Sequence, residues 1–147
     1  MGYKVGNGID QYMQSLTNLA TQADEIAKRG IYDGMAVVAD AIRSNIGGIP
    51  TGNGKDGKIT PEQKEGLSAG LGISQIRNKG GVFDAKTGFA GTNANGEKNA
   101  TVARKVESGT SKVRKYSFVS KAGASARGAA EQAIAKTIDD EINKIMK

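Results

Sequence analysis

The sequence predicts an α+β fold. Three observations point to it: an apolar stripe at helical spacing through the first third, a second stripe from about Ala122, and a period-two stretch at about 71–90 closed by a glycine turn. With 147 residues, the chain has the length of one domain, 1–147, built on one core.

Residues 1–6 read as extended or disordered. Asn7 can serve as an N-cap, and from there apolar or small residues recur every three or four positions, through Ile9, Leu16, Leu19, Ala23, Ile26, Val38, Ile42 and Ile46. Gly47-Gly48 and Pro50 stop the helix. Gly30 and Gly34 lie inside it, and each costs about 1 kcal/mol relative to Ala where exposed. They mark a kink or the close approach of another backbone. Unbroken, the helix would be roughly 60 Å long, so a bend near Gly30 is expected.

Residues 47–60, GGIPTGNGKDGKIT, read as a flexible surface loop that mimics three binding motifs. Gly52, Gly54 and Gly57 match G-x-G-x-x-G, but a helix end precedes the loop where a dinucleotide site needs a buried strand. Gly52 to Lys58 matches most of a phosphate-binding P-loop, yet Ile59 stands where a hydroxyl should reach Mg²⁺. Asp56 to Thr60 mimics the centre of a calcium loop, but Gly52 and Gly54 occupy the first and third ligand positions and Gln63 replaces the bidentate Glu.

Thr60 as N-cap, Pro61 at the first helical position and Gln63 as capping-box partner start a short helix. Leu71 to Arg77 then reads as a strand with Ile73 and Ile76 partly buried. Asn78 to Gly81 forms the turn, and Val82 to Ala90 the return strand, with Phe83, Ala85, Thr87 and Phe89 on one face. One hairpin is marginal alone, so helix packing and another strand are expected. Gly91 to Lys98 is a second polar, flexible loop. Asn99 can cap a helix over 100–108 with Val102 and Val106 inward. The last helix carries Ala126, Ala130, Ile134, Ile138 and Ile142 on one stripe. Its late acids, Asp139, Asp140 and Glu141, oppose the helix dipole unless a basic partner meets them.

Composition narrows the chemistry. With no Cys and no His, thiol nucleophiles, imidazole bases, disulfides and the usual zinc sites are excluded. No spacing gathers the remaining carboxylates, lysines and serines into a catalytic set. The chain therefore reads as non-enzymatic, with no cofactor and no metal. No apolar run reaches transmembrane length and the polar N-terminus does not resemble a signal peptide, so no membrane partner and a cytoplasmic site of assembly are expected. Hydrophobic residues are 37% and aromatic residues 5% of the chain, which makes a thin core and favours burial against other copies or against partners. The net charge is +6, and Lys98 to Arg127 holds eight basic residues against the single acid Glu107. Such a stretch suits an acidic protein surface or nucleic acid phosphate. Only Tyr116 and Phe118 are on hand there for base stacking.

The least generic stretch is Val106 to Ala122, VESGTSKVRKYSFVSKA. Glu107 closes a helix, Gly109 supplies a left-handed exit, and Thr110 and Ser111 can fix it by hydrogen bonds to nearby backbone. Val106, Glu107, Gly109, Thr110, Ser111, Lys112, Phe118 and Ala122 resemble the signature of the tailed-bacteriophage neck, or head–tail joining (tail-completion), minor structural proteins. Family members carry prolines around the aromatic residue, whereas Ser117 and Lys121 stand here. A loop that is more mobile or differently anchored follows from that.

The resemblance implies a small antiparallel sheet packed between long N- and C-terminal helices, in a homo-oligomeric ring of six. It implies head-completion or connector proteins and tail-terminator or tail-tube proteins as partners, DNA passing through the lumen, and a place in the virion neck. Val106, Glu107, Gly109, Thr110, Ser111 and Phe118 are then expected to set the signature loop at a subunit contact. Glu107→Lys is expected to block assembly while sparing the monomer. Lys112, Arg114, Lys115 and Lys121 are expected to face the channel or an acidic neighbour. A tail-terminator ring and a small basic nucleic-acid-binding protein are the alternatives.

Overall fold

A four-residue spacing of apolar and small side chains organises both long helices. The computed structural model describes residues Val5–Met146, with side chains from Asp10. Helix α1 spans Val5–Gly47, α2 Pro61–Gly70, α3 Asn99–Ser108 and α4 Phe118–Met146. Four short strands lie between α2 and α3: β1 Leu71–Ile73, β2 Arg77–Lys79, β3 Val82–Asp84 and β4 Thr87–Phe89. The fold is α+β.

α1 and α4 run antiparallel as a stem, and its glycines receive α4 isoleucines. A methyl on Gly30 would lie 3.2 Å from Ile138 Cγ1, and one on Gly34 only 2.5 Å from Ile134 Cγ1 and 3.2 Å from the Ala130 carbonyl oxygen. Four residues onward in α1 and four back in α4, Val38 comes level with Ala130, then Ile42 with Ala126 and Ile46 with Ala122. Small thus opposes large along the seam, the arrangement that lets ridges fill grooves. By the same stepping Met146 comes level with Gln22, so residues 5–21 of α1 project past α4 by about 25 Å.

α1 is assigned as one uninterrupted helix of 43 residues, about 65 Å long. No break interrupts it at Gly30 or Gly34, and of the two roles expected for these glycines they serve the close approach of another helix. The helix also starts before Asn7, which is therefore inside its first turn and not its cap; the side chain of Asn7 lies outside the described residues.

Two of the acids late in α4, Asp140 and Glu141, are met within the chain. Arg29 donates to Glu141 at 2.9 Å, and Lys136 to Asp140 at 2.7 Å. That hydrogen bond, and then the Asp140 charge, raise the Lys136 pKa above its ordinary 10.5. Thr137 donates to Asp33 across the stem.

Beyond the stem sits a head built on one buried cluster. Ile42, Ile46, Ile49, Ile59, Leu67, Leu71, Val102, Val106, Phe118 and Ala122 come from every helix, from β1 and from the loop after α1. That loop, expected to be a free surface segment, is in part core: Ile49 and Ile59 are each 3% exposed, and Gly52 N donates to the Ile59 carbonyl at 2.8 Å. Its apolar ends explain the folding back. Lys64, one turn into α2, donates to the Gly47 and Ile49 carbonyls at 2.9 and 3.0 Å, so a cation satisfies the C-terminal end of α1. The capping box forms as expected: Thr60 Oγ1 accepts from Gln63 N at 3.2 Å, and Gln63 Oε1 accepts from Thr60 N at 2.8 Å.

The hairpin folds in two parts. β1 pairs with β4 in register Leu71↔Phe89, and β2 with β3 in register Arg77↔Asp84. Three residues, 74–76, face two, 85–86, so the register slips by one as at a bulge. Ser74 bridges the slip, its N–H donating to Lys86 O and its hydroxyl accepting from Lys86 N. Gly80 and Gly81 have φ of 59° and 87°, both positive as a type I′ turn requires. No third strand joins either pair among the described residues; α1 packs on β1, β3 and β4, and α2 and α3 pack on β4, while β2 is exposed. Phe89 packs on Phe118 with ring centroids 5.8 Å apart.

The 91–98 loop is organised by Asn93, which is 8% exposed. Its Oδ1 accepts from Asn95 N and Glu97 N, while the Glu97 carboxylate accepts from Gln63 and Asn93 side-chain amides. Asn99 is not a cap. Lys98 holds that position, and Asn99 is buried with its amide donating to the Ala90 carbonyl at 2.9 Å. The competing demand is the end of β4, which needs a partner as it meets α3.

Candidate functional site

Val106 to Ala122 forms the junction between α3 and α4. Val106 ends the buried face of α3, and its carbonyl accepts from Tyr116 N at 2.8 Å, closing the intervening loop. Gly109 ends the helix with φ 77° and ψ 157°, a glycine-only region of the map, and donates to Lys105 O. A methyl there would also meet Lys115 at 3.0 Å. Thr110 Oγ1 accepts from the Lys112 and Val113 amides at 3.1 and 2.9 Å, and Thr110 N donates to Val113 O. The hydroxyl therefore folds the loop tip from within.

Glu107 has an internal role. Its Oε1 accepts from Val119 N at 3.1 Å, Ser120 N at 2.8 Å and Ser120 Oγ at 3.0 Å. A carboxylate from α3 thus caps the first turn of α4, where free amides and the helix dipole favour an anion. Phe118 is fully buried and Val106 is 1% exposed. Neither can touch a neighbouring subunit directly; both support the loop from beneath. Of the residues expected at a subunit contact, Thr110 and Ser111 are exposed, while Glu107 and Gly109 are half-buried. No Pro fixes Ser117, and the loop is anchored instead by the Tyr116–Val106 bond and by Arg114 N donating to Gly57 O at 2.8 Å.

That last bond joins two loops far apart in sequence. Gly57, with φ 82°, lets the Arg114 side chain lie over it: a methyl there would be 3.2 Å from Arg114 Cγ. Between the loops opens a cleft of about 640 Å³, lined by Gly54, Lys55, Gly57, Thr110, Ser111, Lys112, Val113 and Arg114. Lys112 and Arg114 share it with Lys55, a residue that sequence reasoning left in a bland loop. The signal was the run of lysines between glycines, but only the Gly57–Arg114 pairing brings the two loops together. Lys115 and Lys121 do not line the cleft; Lys121 Nζ sits 5.8 Å from the centroid of the Tyr116 ring.

Charge divides along the molecule. Residues 47–121 hold thirteen Lys and Arg against six Asp and Glu, whereas residues 5–46 and 122–147 hold seven against nine. The head is basic and the stem mildly acidic. Tyr12 and Met13, on the projecting part of α1, are more than half exposed. Among the described residues there is no group of three or more acidic side chains placed to hold a metal ion, and no helix is long and apolar enough to cross a membrane. No protein-family model, curated protein or solved structure matches the chain.

Proposed function

We propose that this chain is a non-enzymatic structural subunit of a bacteriophage neck ring that joins head to tail, with DNA passing through the lumen. The observation that carries the reading is that the residues behind the neck-protein resemblance fold as one unit. Val106, Phe118 and Ala122 share the core, Glu107 caps α4, and Gly109 and Thr110 shape the loop they hold up.

Two further features support assembly. A basic head and an acidic stem on one chain favour head-to-tail contact between copies, the heterologous geometry that closes rings. The projecting part of α1 carries Tyr12 and Met13 into solvent, where a neighbour would cover them. Head-completion and tail-terminator or tail-tube proteins would flank the ring in the virion. Electron microscopy of the concentrated purified protein tests this reading: rings of uniform subunit number with an axial opening that admits duplex DNA are expected. A field of single particles with no rings, at every concentration, would overturn it.

A further inference from the structure

We propose that the cleft between the 52–58 and 110–114 loops grips the phosphate backbone of duplex DNA through Lys55, Lys112 and Arg114. The proposal deepens the ring reading, on which its choice of duplex DNA as the source of phosphate rests.

The chemistry of the walls favours phosphate over a protein surface. A protein interface is built around a patch with an apolar centre. Here Val113 is the one apolar lining residue; the rest are glycines, hydroxyls and cations. Lys, Arg, Ser and Thr side chains together with backbone amides are the groups that contact phosphate oxygens. All three cationic side chains are exposed. Asp56, the one acid of the 52–58 loop, does not line the cleft: its carboxylate lies over Gly52 and accepts from Lys58 N at 3.3 Å. No acid therefore lines the cleft beside the three cations.

The duplex form follows from what the site lacks. Single-strand binders stack bases on aromatic rings. The cleft has none, since Phe118 is buried in the core and Tyr116 is half-buried with Lys121 over its ring. Neither loop offers a helix or strand to read a groove, so contact is to backbone and independent of sequence. Such a surface suits a wall along which DNA slides.

The geometry also assigns Gly57 a part. It holds the two loops together and leaves room for Arg114 to span them, so the two halves of the cation set act together.

The test is fluorescence anisotropy of a labelled duplex titrated with the full chain across a range of salt. Wild type is compared with Lys55→Ala/Lys112→Ala/Arg114→Ala and with a charge-matched control, Arg77→Ala/Lys79→Ala/Lys86→Ala, at the exposed hairpin. Removing three phosphate contacts makes the slope of log K against log salt shallower by about three and weakens binding at low salt by at least about tenfold, while the control stays near wild type. Equal losses in the two triple variants would overturn the proposal in favour of net charge alone. A wild type that ignores DNA at low salt, but self-associates through Lys55, Lys112 and Arg114, would overturn it in favour of a second copy. Ring formation, read separately by microscopy, tells failure of this site from failure of the ring reading.

Discussion

Gly34→Ala tests the packing of the stem with a single methyl. In an exposed helix this change stabilises by about 1 kcal/mol, because Ala fits helical backbone better than Gly. Here the new methyl would lie 2.5 and 2.7 Å from Ile134 Cγ1 and Cδ1 and 3.2 Å from the Ala130 carbonyl oxygen. Ile134 is β-branched and stiff at χ1 in a helix, and its Cγ1 lies too near its own backbone to clear the methyl by moving its tip, so the helices must part. Overpacking of this kind costs about 1–3 kcal/mol, which exceeds the propensity gain and leaves a net loss of about 1 kcal/mol. Gly30→Ala is the internal control. Its nearest neighbours stand at 3.2 and 3.4 Å, and gain and loss should nearly cancel. Urea unfolding followed by far-ultraviolet circular dichroism reads both. With a slope of about 2 kcal/mol/M, Gly34→Ala should lower the midpoint by about 0.5 M. Adding Ile134→Ala removes the clash, so the double variant should lose less than the sum of the singles, a coupling of about 0.5–3 kcal/mol. A Gly34→Ala protein as stable as wild type, or a Gly30→Ala protein equally damaged, would refute the packing argument.

Substitutions at three other positions probe the head. Glu107→Gln should lower stability by about 1 kcal/mol by weakening the cap on α4, and Glu107→Lys by more, because a cation then faces a helix N-terminus; thermal melts would show both. An assembly defect in Glu107→Lys therefore reports folding before it reports an interface. Phe118→Ala should cost about 3–5 kcal/mol, since a fully buried ring is removed from the centre of the core, and an unfolding midpoint within error of wild type would contradict that placement. Thr60→Ala should cost about 1 kcal/mol through loss of the capping box, measured in the same unfolding series.

Elements whose signals are local were legible in the sequence. The two apolar stripes, the Thr60–Gln63 capping box and the inward Val102 and Val106 follow from spacing within one segment. What escaped was decided between segments. Gly30 and Gly34 carry the same letters whether a helix bends or another helix approaches, and only the position of Ile134 and Ile138 on α4 decides. Asn99 looks like a cap until the Ala90 carbonyl claims its amide. Ser74 and the one-residue slip beside it depend on pairing across the hairpin, which period-two alternation does not reveal. The site followed the same rule. Glu107, Gly109 and Thr110 stood out as a local pattern, but the donors that Glu107 serves belong to α4. Lys55 joined Arg114 only through the bond from Arg114 N to Gly57 O, between residues 57 positions apart in the chain.

Assembly of this chain into a ring is read most directly from its solution mass, by light scattering over a range of concentration, at low and high salt. A discrete closed oligomer near six times the 15.3 kDa subunit mass is expected, weakened by salt where the basic head meets the acidic stem of its neighbour. A 15.3 kDa monomer at every concentration and salt would contradict it.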